Sequence, residues 1–101
     1  MKLVFNRAFR ENERMLMRRC GYFEIFNRYT GETSYIRQLR RTPYPRFHLY
    51  IQKRDAQSLV LNLHLDSKKP SYSGAAAHAG EYDSEVVNDE AIRLQSVLQR
   101  L

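Results

Sequence analysis

Three histidines and two carboxylates stand where they could act together. His48 lies in RFHLYIQK, His64 and Asp66 lie in LVLNLHLD, and His78 and Glu81 lie in SGAAAHAGEY. Imidazole and carboxylate are the ligand types that suit zinc or manganese. His48, His64, Asp66 and His78 are therefore the metal candidates, with Glu81 behind them or acting as general base. Such a set would serve a metal-assisted hydrolase or nuclease, although no HExxH spacing marks it. A metal-free alternative uses His64 with Asp66 or Glu81 for acid–base work. The single cysteine, Cys20, allows no intrachain disulfide and falls on an apolar stripe, where a thiol is inert. SGAAAHAG lacks the glycine spacing of a phosphate-binding loop.

The charge distribution points elsewhere. Residues 1–54 hold 13 Lys and Arg against 4 Asp and Glu, a surplus of nine. Residues 55–101 hold 4 against 7, a deficit of three, which gives the chain its net +6. Eleven of the 13 cations in the first part are arginine, whose rigid fork suits phosphate. A basic, arginine-rich surface is the electrostatic footprint of a nucleic-acid binder. Aromatic and guanidinium groups on a sheet grip single-stranded RNA by stacking. The candidate contacts are Arg40, Arg41, Tyr44, Arg46, His48, Tyr50, His64, Lys68 and Lys69.

The elements that must position these residues follow from periodicity. Residues 6–20 read as a helix: Phe5, Phe9, Leu16 and Cys20 recur at helical spacing, and Gly21 can end it. Arg7, Arg10, Arg14 and Arg18 would then form one cationic stripe. Asn12 offers an alternative cap for a shorter helix from Glu13. Residues 22–29 and 33–40 read as a hairpin around Thr30-Gly31-Glu32. Pro43 and Pro45 interrupt the chain. In residues 46–53, Phe47, Leu49 and Ile51 alternate with Arg46, His48, Tyr50 and Gln52. In residues 58–66, Leu59, Leu61, Leu63 and Leu65 alternate with Val60, Asn62, His64 and Asp66. This second hairpin puts leucines on one face and both imidazoles on the other, with His48 opposite either His64 or Asn62. Residues 67–83 form a long connection that also carries Tyr72 and Tyr82. Residues 84–101 form an amphipathic helix with Val87, Ala91, Leu94, Leu98 and Leu101 on one stripe, capped by Asp83 or Ser84.

The expected architecture is one α+β domain spanning residues 1–101. Its order is α-β-β-β-β-α, a four-stranded antiparallel sheet of two hairpins with both terminal helices on one face. The apolar run Leu3–Phe5 is too short for a signal peptide, no stretch is long enough to cross a membrane, and the single cysteine fits a cytoplasmic setting. No catalytic signature is complete. The expectation is a small binding module for RNA or DNA, without cofactor unless zinc or manganese occupies the histidine cluster. The competing expectation is a protein-interaction or structural domain without chemistry.

Overall fold

The computed structural model describes residues 1–68 and 84–101. The order is β1 (Lys2–Phe5), α1 (Glu13–Arg19), β2 (Phe23–Asn27), β3 (Glu32–Gln38), β4 (Arg46–Arg54), β5 (Leu59–Asp66) and α2 (Ser84–Gln99). The sheet is antiparallel and has five strands in the order β1-β5-β4-β3-β2. The α+β class, the two hairpins and the terminal helix thus hold, but the expected four strands are five and the chain opens with a strand.

The correction lies in residues 2–20. Leu3 and Phe5 point inward by strand alternation, and Lys2–Phe5 pairs with β5 from Lys2 opposite Asn62 to Phe5 opposite Leu59. Without this pairing β5, whose leucines fill the core, would leave a row of backbone donors and acceptors open. The helix is the shorter alternative. The Asn12 side chain accepts from the Met15 amide at 2.9 Å, and the helix begins at Glu13. Only Arg14 and Arg18 of the expected arginine stripe are helical. Arg7 instead donates to the Leu98 and Leu101 carbonyls at 3.3 and 2.6 Å, at the end of α2. Gly21, at φ +86°, turns the chain from α1 into β2.

One apolar cluster joins the layers. Leu3, Phe5, Tyr35, Phe47, Leu49, Leu59, Leu61, Leu63 and Leu65 come from the sheet, Leu16 and Met17 from α1, and Val87, Ala91, Leu94 and Leu98 from α2. Against this cluster sits one buried carboxylate, Glu90 of α2. It accepts from the Tyr22 hydroxyl at 2.5 Å, from Arg93 at 2.7 and 2.8 Å and from Arg37 at 3.3 Å. Arg93 also donates to the Cys20 carbonyl at 2.6 Å, so one ionic cluster ties α2 to β3 and to the end of α1. Burial, with Glu90 adding to it, pushes the Tyr22 hydroxyl well above its ordinary range.

Removing that carboxylate leaves two guanidiniums and a buried hydroxyl without their shared partner. Glu90→Gln should lower unfolding free energy by about 3 kcal/mol, and Tyr22→Phe by about 1 kcal/mol. Urea denaturation checks this. Equal stabilities for wild type and Glu90→Gln would show that the cluster does not hold the helix.

Candidate functional site

The register of β4 and β5 sets the site. His48 stands opposite His64, the first of the two expected registers, so both imidazoles share the sheet face away from the leucine core. Phe23 pairs with Ile36, and Ile36 pairs with His48. A single row therefore crosses four strands: Phe23, Ile36, His48, His64. Tyr35 faces Leu49, which places Ser34 of β3 diagonally beside His48 on the same face.

His48 is enclosed rather than exposed. Its Nδ1 lies 2.8 Å from Asp66 Oδ2 and its Nε2 lies 2.6 Å from Ser34 Oγ. The carboxylate can only accept, so Nδ1 donates to it; in the neutral imidazole Nε2 then accepts from the Ser34 hydroxyl. Arg46 donates from Nε to the same Asp66 oxygen at 3.2 Å. The Tyr50 ring stacks on the imidazole with centroids 4.4 Å apart, and His64 meets Tyr50 edge-on at 5.7 Å. Ser34, His48 and Asp66 retain only 5%, 7% and 2% of their surface. Burial pushes the Asp66 carboxyl up, but the imidazole and the Arg46 guanidinium more than offset it and hold it below the usual aspartate range.

The remaining sequence candidates distribute around this core. Tyr44 lies under the Arg46 guanidinium, 4.5 Å from centroid to Cζ. Arg40 and Arg41 are exposed and, with Gly21, Phe23, Ile36 and Arg37, line a hollow of about 540 Å³. Tyr50, His64 and Asn62 line a second hollow of about 340 Å³, with Glu32 and Gln52 at its side. Lys68 is exposed. Lys69, Tyr72, His78, Glu81, Tyr82 and Asp83 lie outside the described residues. Among the described residues, no group of three His, Cys, Asp or Glu is placed to hold a metal ion. Both His48 nitrogens are engaged within the protein. Asp66 bonds to His48 across the strand pair. Cys20 is buried, and burial pushes its thiol up to about 11, so it stays protonated near neutrality.

No family model, characterised protein or solved structure matches this chain. The functional reading therefore rests on the site itself. Two of its members were missed by sequence reasoning. Ser34 and Phe23 belong to the first hairpin, and nothing in the sequence said how that hairpin aligns with the second. Strand parity was the one available signal. Ser34 and Ile36 share a face with each other, but only the β3–β4 register makes that face the histidine face.

The depressed Asp66 value has a direct consequence for stability. A carboxyl whose folded value is lowered stabilises the fold above the ordinary aspartate range, about pH 4, and loses that contribution as pH falls through the folded value. Asp66→Asn should be less stable than wild type at pH 7, and the gap should narrow below about pH 4. Urea midpoints at pH 7 and pH 3 measure it. A gap that stays constant would rule out the ionised carboxylate as the source.

Proposed function

We propose that the chain binds single-stranded nucleic acid, RNA foremost, across the sheet face that carries His48. The observation that carries this reading is Phe23. Its ring stands 57% exposed on the outer strand, and the Arg18 guanidinium lies over it at 4.8 Å. An exposed aromatic of this kind presents a face to which a base can stack. Arg40 and Arg41 line the hollow at its edge, and their charge suits phosphate. Further along the face, Arg46 over Tyr44 repeats the pairing of guanidinium and ring. The row Phe23, Ile36, His48, His64 leads from the arginine-lined edge toward β5, a direction in which a strand can run with bases against the sheet and phosphates toward the cations. The surplus of nine positive charges in residues 1–54 supplies the long-range attraction.

Fluorescence anisotropy with a short uridine-rich oligonucleotide tests the reading. Affinity should fall steeply with salt. Phe23→Ala should weaken binding by about 1–3 kcal/mol, the worth of one stacked base, or roughly 5- to 100-fold. Arg40→Ala should reduce the salt slope by about one. Tyr29→Ala, in the β2–β3 turn and 91% exposed, should change neither. Absence of binding at very low salt sinks the proposal.

A further inference from the structure

The Ser34, His48 and Asp66 side chains come from three adjacent strands and form one directed chain of hydrogen bonds. The serine hydroxyl is 2.6 Å from an imidazole nitrogen, and the opposite ring nitrogen is 2.8 Å from a buried carboxylate. This is the arrangement of nucleophile, base and orienting acid that is recognised by geometry and roles and not by position in the sequence. Two further contacts restrict the imidazole. Tyr50 stacks on its plane, and Arg46 anchors the carboxylate at 3.2 Å. Packing alone does not call for a hydroxyl at position 34, where an alanine or valine would fill a strand. The hydroxyl instead satisfies the one imidazole nitrogen that Asp66 cannot reach.

We propose that Ser34 is a nucleophile toward phosphodiesters, with His48 as its general base and Asp66 as a positioning residue that fixes the tautomer. The choice of phosphodiester rests on the nucleic-acid reading above. Arg46 stands on the same face, at Asp66, where its charge favours an anionic substrate over a neutral one. In the first step the Ser34 oxygen forms a bond to phosphorus and its proton passes to His48 Nε2. The bond from phosphorus to the leaving oxygen breaks, and His48 returns the proton to that oxygen, releasing an alcohol. In the second step water attacks the phosphoserine, giving its proton to His48. The serine–phosphorus bond then breaks and Ser34 recovers its proton. The sum is hydrolysis, with no change of oxidation state.

The full-length chain is assayed with bis(4-nitrophenyl) phosphate in a chelator, and in parallel treated with diisopropyl fluorophosphate and digested for peptide mass spectrometry. Release of nitrophenolate that falls at least about 100-fold in Ser34→Ala supports the proposal. So does a single phosphoryl adduct on Ser34 of the wild-type protein, which requires no variant to fold. Equal rates in wild type and Ser34→Ala, with Ser34 unmodified, overturn it. Turnover of 4-nitrophenyl acetate but not of the diester overturns the assignment to phosphodiesters. A labelled oligodeoxynucleotide, which has no 2′-hydroxyl to attack its own backbone, separates the two readings. Binding without cleavage overturns the nucleophile and leaves the binding reading standing. Failure to bind, with Ser34-dependent turnover of the small diester, overturns the binding reading and keeps the nucleophile.

Discussion

The antiparallel pairing of β4 with β5 is the constraint from which the rest follows. Leu49 opposite Leu63 and Phe47 opposite Leu65 fill the core on one side, while His48 opposite His64 occupies the other. A slip of one residue would send the leucines into water and the imidazoles into the core, so burial fixes the register strongly. Each neighbour then inherits its placement. Strand β1 pairs with β5 because Leu3 and Phe5 extend the same apolar surface, and β3 pairs with β4 so that Tyr35 meets Leu49.

The two faces solve the problem of polar groups differently. On the helix side a single buried carboxylate, Glu90, gathers a tyrosine and two arginines, and in doing so orients α2 against strand and helix neighbours. On the other side the polar groups sit on the strands themselves, and the chain from Ser34 through His48 to Asp66 stitches β3, β4 and β5 together across their side chains. A buried network of this kind stabilises only when its members are mutually satisfied. That demand is also what gives the imidazole a single orientation, which is the property a reactive serine needs.

Much of the second hairpin was legible in the sequence, because strict alternation from Phe47 to Ile51 and from Leu59 to Leu65 leaves few arrangements open. The terminal helix was legible for the same reason. Residues 2–20 were not. Phe5 and Phe9 fit a helical repeat as well as a strand followed by a turn, and the choice depended on β5 needing a partner, a fact of tertiary structure. The candidate site was half legible. Parity placed His48, Tyr50, His64 and Asp66 on one face, but it treated that face as open, whereas Ser34 and Tyr50 enclose His48. The alignment of one hairpin against the other is a long-range property, and with it came Ser34 and Phe23.

Strand β4 carries one residue more than β5 between Ile51 and Lys53, so that Lys53 faces Val60 and Arg54 faces Leu59. An extra residue inverts the alternation beyond it. Arg54 is thereby rotated to the helix-bearing side, where it donates to the carbonyls of Phe9, at 2.9 Å, and Glu11. Those carbonyls belong to the irregular stretch linking the first strand to the first helix, which has no ladder of its own. Were the ladder to run on without the bulge, Gln52 would face Val60 and Lys53 would face Leu59, and the Arg54 guanidinium would fall on the opposite surface, untethering the segment on which the Asn12 cap depends. The irregularity in the ladder is thus the hinge pin of the amino-terminal third of the molecule.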